Sequence, residues 1–204
     1  MFERLKRNYN KKRLTDDRFA FLFDDTPSDE IVVYDCETTG LDTKRDEIIS
    51  IGAVKIRGDK ILLGEALHIY IKPMEDISHK SIAIHQIRNC DVADGVSATE
   101  AIESFLYYIG NRDLVGYYLE FDVAMVNRYT KEMIGINLPN KMQEVSALYY
   151  DKKINTIPQG NIDLSFDTIL QDLALPKLKA HDALNDAVMT AMMYLKIKNS
   201  KKLN

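Results

Sequence analysis

One run of twelve residues constrains this chain more than any other: Ile31-Val32-Val33-Tyr34-Asp35-Cys36-Glu37-Thr38-Thr39-Gly40-Leu41-Asp42. β-Branched and aromatic residues open it, as in a buried strand. Two carboxylates two positions apart then interrupt the apolar pattern, and a Thr-Thr-Gly turn follows. Side chains alternate along a strand, so Asp35 and Glu37 point to one face and Cys36 to the other. Adjacent carboxylates repel each other and need a counter-charge. A divalent ion such as magnesium or manganese suits hard oxygen ligands. The alternative is a strand end whose acids reach solvent, and this stretch alone is compatible with both.

The chain has 204 residues, enough for one domain with a sizeable core, or one domain with an appendage. Its two cysteines, Cys36 and Cys90, have no metal-binding spacing, and Cys36 reads as a reduced, buried thiol. No apolar run has the length of a membrane span, and no basic start leads into an apolar stretch. A cytoplasmic location with no membrane association is therefore expected. The net charge of −4 is unevenly spread. Residues 1–18 hold seven basic and three acidic side chains, a net +4 that leaves −8 on the remainder. An acidic body argues against simple electrostatic binding of nucleic acid, although acids loaded with metal can meet phosphate.

Residues 1–30 read as a basic helical extension: one or two short helices, an apolar patch at Phe19-Ala20-Phe21-Leu22-Phe23, and a turn-rich connector over residues 24–30. Its basic part is either an arm for phosphate or a partner, or a helix held down by its phenylalanines with solvated lysines. Residues 31–204 form the second expected unit. Alternation predicts strands over 31–37, 47–56 and 60–71, the last two joined by a two-residue turn at Gly58-Asp59. Short helices are expected over 81–86 and from Ser97, where Glu100 completes a capping box. A short strand over 113–117 precedes a helix over 121–133, and two further helices are expected over 163–173 and 182–198. In the last, Ala183, Ala187 and Ala191 share one side, as in close packing on a sheet. An early hairpin meander followed by strand–helix alternation is the pattern of a mixed-sheet α/β domain.

Asp122 falls in the first turn of the helix after the short strand, and Asp186 in the second turn of the last helix, five residues after His181. Acids in first turns also suit the helix dipole, so each alone is ordinary. With Asp182 as N-cap, His181 lies on the preceding loop.

Together these segments resemble the DnaQ-like (DEDDh) 3′–5′ exonuclease family, which includes the proofreading epsilon subunit of bacterial DNA polymerase III. Residues 35–42, followed by Ile48-Ile49-Ser50-Ile51-Gly52-Ala53-Val54, match its first motif. Phe121-Asp122 matches the second, and His181-Asp182-Ala183-Leu184-Asn185-Asp186-Ala187 with Thr190-Ala191 the third. The resemblance spans residues 31–197. It implies a ribonuclease H-like mixed central sheet flanked by helices, with the N-terminal helical extension outside it. It also implies that Asp35, Glu37, Asp122 and Asp186 hold two Mg²⁺ or Mn²⁺ ions, about 3.5–4 Å apart as in two-metal sites. His181 would be the general base. Thr38, Leu41 and His85 are the implied substrate contacts; for His85 a helix-end role bonding backbone is the alternative. The implied partners are a nucleic acid 3′ end, DNA in preference to RNA, and a DNA polymerase. Two features depart from the family pattern: Tyr117-Tyr118 replaces a usual His-Asn, and Lys80 stands where an acid is common. Neither removes a metal ligand. An RNA-trimming exoribonuclease and a non-catalytic binding module are the competing functions.

Overall fold

The computed structural model describes residues 2–24, 29–154 and 161–200. Part of the expected connector, residues 25–28, lies outside the described residues. The central strand is β1 (Glu30–Thr38), the run that opens the motif-bearing region. It pairs antiparallel with β2 (Ile48–Arg57) and parallel with β5 (Asp113–Gly116). β3 (Lys60–Ile61) and β4 (Leu67–Tyr70) both pair with the outer edge of β2, and β6 (Met142–Glu144) lies parallel beside β5. The sheet is thus mixed, with β1 at its centre.

The strand expected over 60–71 is broken. A single 3-10 turn at Leu63–Glu65 separates β3 from β4 and leaves Leu63 60% exposed. The consecutive Leu62-Leu63-Gly64 abolishes the alternation that a half-buried strand requires. β6 and the helix after it, α5 (Val145–Lys153), were not expected from periodicity at all.

Alternation along β1 separates two cores. Val32, Tyr34 and Cys36 face α3 (Ala98–Ile109) and α4 (Leu119–Ile134), where Phe105, Leu106, Met125 and Val126 are fully buried. Phe19 and Leu22, from a 3-10 helix at Asp17–Phe23, enter the same core. The basic α1 (Phe2–Arg13) precedes them, and Thr15 after it donates its N–H to the Ile134 carbonyl at the end of α4. Val33 faces the opposite core, built by α5, α6 (Phe166–Asp172) and α7 (Ala183–Asn199). Cys36 is a buried free thiol whose burial raises its pKa well above the usual range.

The Ala183-Ala187-Ala191 stripe is fully buried, and Gly52 shows why it must be small. A Cβ on Gly52 would lie 2.1 Å from the Leu184 backbone nitrogen, so α7 crosses β2 at a distance only glycine permits. Ser97 forms the expected capping box with Glu100. α6 begins three residues later than expected, because Asp163 binds the Ser165 N–H and the Thr168 hydroxyl and holds the approach in a turn.

Candidate active site

The parallel pairing of β1 with β5 places the first turn of α4 at the edge where β1 ends. Asp35 and Glu37 leave β1 on the α7 face. A register shift between Glu37 and Thr38 breaks the ladder with β2 at that point, as bulges beside functional sites often do. Asp122 is buried in the first turn of α4. Asp186 arrives from α7. The four acids expected from three separated segments therefore converge on one edge of the sheet.

Their charges interact strongly. Burial pushes the Asp35 carboxyl well above the usual range, and the facing Asp122, Glu37 and Asp186 add to it. Burial does the same to Asp122, with Glu37 adding to the rise and the Cys36 backbone N–H opposing it. Glu37 is pushed up to about 8, by burial and then by Asp186 and Asp182. Asp186 is pushed up to about 6 by burial, with the His181 N–H and ring opposing. Among the described residues, the charged side chains acting on Asp35, Glu37 and Asp122 are themselves acids.

His181 reaches this cluster through its backbone. Its φ of 58° is left-handed, which turns its N–H onto Asp186 Oδ2 at 3.0 Å. Asp182 caps α7 by accepting the Asn185 N–H, leaving the exposed imidazole outside the helix. Ligand-capable atoms of Glu37, His181 and Asp186 lie within 4.8 Å of one another. The other oxygen of Asp186, Oδ1, is buried with no partner among the described residues. An orphaned carboxylate oxygen in a nest of hard donors fits a divalent cation.

The turn after β1 is organised by a residue the motif pattern did not single out. Asp46 accepts the Thr39 hydroxyl at 3.2 Å and the Asp42 N–H at 2.7 Å. A Cβ on Gly40 would lie 2.5 Å from its Oδ2, which is why glycine stands there. The Thr38 hydroxyl donates to the Gly40 carbonyl at 2.7 Å, and Leu41 projects from the turn with 86% of its surface exposed. α2 (His79–His85) is tied to the same turn by the Ser81 hydroxyl, which donates to the Thr39 carbonyl. His85 closes that helix. Its Nδ1 accepts the Ile87 N–H at 3.0 Å, so the helix-end role exists, while its buried Nε2 has no partner among the described residues. Burial lowers its pKa, and the charge of His181 adds to the fall.

The two tyrosines that depart from the family pattern have different surroundings. Tyr117 turns into the α6 side, donating its hydroxyl to the Leu164 carbonyl at 3.0 Å and meeting Phe166 edge-on at 5.0 Å. Tyr118 is 75% exposed and starts α4 from a left-handed φ of 58°. Glu144, also missed from sequence, accepts the Leu119 N–H at 2.8 Å and caps α5 through Ser146, bracing the turn that carries Asp122. A lone Glu before Val145 carries no local signal for that role. Lys80 is exposed on α2.

Comparison with known proteins agrees with this geometry. The RNase T-type family model described as "Exonuclease" matches residues 32–194. A DNA polymerase III PolC-type protein of Thermotoga maritima is 33% identical over 165 residues, covering 81% of this chain but only 12% of that protein. A DNA polymerase III subunit epsilon of Aquifex aeolicus is 27% identical over 166 residues, covering 81% of this chain and 79% of the subunit. Among solved structures, cell-death related nuclease 4 superposes with a TM-score of 0.73 at 16% identity, covering 85% of this chain and 64% of that one. E. coli exonuclease I in complex with a dA16 oligonucleotide gives 0.70 at 16% identity, covering 85% and 42%. These likenesses identify the mixed sheet and its flanking helices as ribonuclease H-like. Motifs, sheet and relatives point one way, and the chain belongs to the DnaQ-like branch of the exonuclease family.

Proposed function

We propose that this chain is a metal-dependent 3′–5′ exonuclease that removes nucleoside 5′-monophosphates from single-stranded or frayed DNA ends. The observation that carries this reading is the convergence of four acids on three of which, among the described residues, no Lys or Arg acts. Such a cluster has no structural use of its own, since like charges forced together raise the free energy of the fold. Asp35, Glu37, Asp122 and Asp186 would hold two Mg²⁺ or Mn²⁺ ions. Bound there, the ions would activate water and stabilise charge on the phosphate. His181 accepts the proton of the attacking water, as an exposed imidazole beside the acids can. Its backbone bond to Asp186 sets the loop and leaves both ring nitrogens for that work. Thr38 and the turn backbone contact the terminal nucleotide, Leu41 packs against its base, and His85 offers its buried Nε2 to the substrate.

The division of labour follows the charge. Residues 31–204 are the exonuclease domain and residues 1–30 an extension to it. DNA is favoured over RNA because the relatives are named as DNA polymerase III components and a neighbour was captured with an oligodeoxynucleotide. The same names support a polymerase partner and a role in proofreading or repair. No described helix is long and apolar enough to cross a membrane.

Digestion of matched 3′-end-labelled DNA and RNA oligonucleotides with Mg²⁺ or Mn²⁺ tests the proposal. Mononucleotides should be released from the DNA 3′ end and release should stop on chelation. Hydrolysis that survives the chelator, or the Asp35→Ala and Asp186→Ala variants, overturns it.

A further inference from the structure

Three cavities adjoin on the outer side of α4. The first, about 710 Å³, opens on the turn that carries Asp122 and is lined by Thr43, Tyr118, Phe121 and Met142. A second, about 570 Å³, starts from Val123 and Met142 and ends among Asn10, Arg13 and Lys131. A third, about 300 Å³, again includes Met142 and Asn10 and adds Arg7 and Lys141. Met142 lines all three, Val123 lines the first two and Asn10 the last two, so they form one groove. It begins beside the turn that precedes Asp122 and follows α4 to α1, and from Phe121 to Lys131 the helix alone covers about 15 Å.

The two ends of this groove differ in charge. Near the acids it is lined by Glu120, Glu144 and the exposed ring of Tyr118. At the far end it is lined by Arg7, Arg13, Lys131 and Lys141, on a molecule whose charge outside residues 1–18 is −8. Among the described residues, Arg13, Lys131 and Lys141 form no ion pair, whereas Arg18, Arg57, Arg88 and Arg112 are each committed to a carboxylate. Arg13 is nonetheless held in place: it donates to the Tyr9 hydroxyl at 2.8 Å and lies over that ring, 5.4 Å from its centre. The helix carrying it is anchored, because the chain beyond it meets Gly135, whose φ of 76° lets the Arg13 carbonyl approach within 2.9 Å of where a Cβ would be.

We infer that this groove is a track for the single strand upstream of the nucleotide being removed, with Tyr118 stacking a base and Arg13, Lys131 and Lys141 facing successive phosphates. The inference deepens the proposed function and rests on it. A polyanion approaching an acidic body needs a cationic stripe, and sites for single strands combine such a stripe with an exposed aromatic face. The left-handed backbone at Tyr118 is the kind of local strain that persists at binding sites. Among the described residues, Arg7, Arg13, Lys131 and Lys141 line the half of the groove away from the acids. The basic helix, which lies outside the matched family region, thereby gains a role in extending the grip on substrate beyond the terminal nucleotide.

The test compares kcat/KM on a trinucleotide and on an oligodeoxynucleotide of about 16 residues, with Mn²⁺, across a salt series. In the Arg13→Glu/Lys131→Glu/Lys141→Glu variant the long-over-short ratio of kcat/KM should fall about 10- to 100-fold, through KM on the long substrate. The slope of log affinity against log salt on that substrate should flatten by about 2, at roughly 0.7 per lost phosphate contact. A triple Gln variant, with thermal melting as a check on folding, should show the same change more weakly. Tyr118→Ala should lower the ratio about tenfold with the salt slope kept, as loss of one stacked base implies. Equal losses on both substrates, or a parental ratio and salt slope in the triple variants, overturn the track. A parent chain that hydrolyses neither substrate overturns the proposed function instead.

Discussion

The two ends of β1 pose the same electrostatic problem and solve it differently. At its start, Glu30 is only 9% exposed, yet Arg57 Nε lies 2.6 Å and Arg112 Nε 2.7 Å from its two oxygens. Burial would raise its carboxyl, but the two guanidinium groups outweigh that and hold it below its ordinary value. At its finish, Asp35 and Glu37 meet Asp122 and Asp186, and burial and neighbours act in the same upward direction. One end carries its counter-charge in the chain, so it is a structural ion pair. At the other, the charged side chains acting on Asp35, Glu37 and Asp122 among the described residues are acids too, and that is the mark of a site. A buried carboxylate is thus not informative by itself; what surrounds it decides.

The largest effect that should separate the two ends is on activity. Asp35→Ala or Asp186→Ala should lower hydrolysis of a 3′-labelled oligonucleotide by about 10³-fold or more, the scale of losing a preorganised electrostatic group. The same variants should melt higher than the parent in chelator, because a repulsive charge has gone. Glu30→Ala should do the reverse. Breaking a buried pair costs about 3–5 kcal/mol, and the half-exposed Arg57 places this case at the lower end, about 3 kcal/mol by urea denaturation. Its folded fraction should still hydrolyse at the parental rate. Equal behaviour of the two variants would dissolve the contrast.

A pH series sharpens it. Glu37 and Asp186 have folded values of about 8 and about 6, above the 4.5 and 3.8 of ordinary carboxyls. The fold prefers their protonated forms, so their contribution is fully present below the ordinary values and is lost as pH rises through 6 and 8. Glu30 has the opposite sign: its contribution is present above 4.5 and is lost as pH falls through its lowered value. In chelator, the melting temperature should therefore fall from about pH 5 to about pH 8, and Mg²⁺ should raise it more at the upper end than at the lower. A flat profile, or equal Mg²⁺ shifts at both pH values, would count against an uncompensated cluster. The smallest effect concerns Tyr117→Phe. It should cost about 1 kcal/mol for the lost bond to Leu164, with hydrolysis kept, since the contacts of this tyrosine are with Leu164 and Phe166.

Much of the site is legible in the chain alone. A period of two along residues 31–37 puts Asp35 and Glu37 on one face and Cys36 on the other. Cap chemistry places Asp182 at the start of α7 and Ser97 at the start of α3. A small-residue stripe announces the close crossing that Gly52 permits. These are local rules, and each is written within a few neighbouring residues. The strand over 60–71 fails because Leu62-Leu63-Gly64 disappears into the average of a longer pattern. β6 and α5 escape notice because three residues and a weakly amphipathic helix carry little periodic signal.

By itself, then, the sequence determined which residues share a face, where helices begin, and, through three ordered motifs, the family. Only the tertiary structure decided which distant groups meet. Register between β1 and β5, some 80 residues apart, brings Asp122 to the edge where Glu37 ends. A left-handed turn at His181 folds its N–H back onto Asp186. Arg57 and Arg112 reach Glu30 from β2 and from the turn before β5, and Met142 joins three hollows into one groove. Backbone geometry acts over a few residues, whereas the pairing of charges acts through space. The counter-charge of each carboxylate is therefore settled only when the chain has folded.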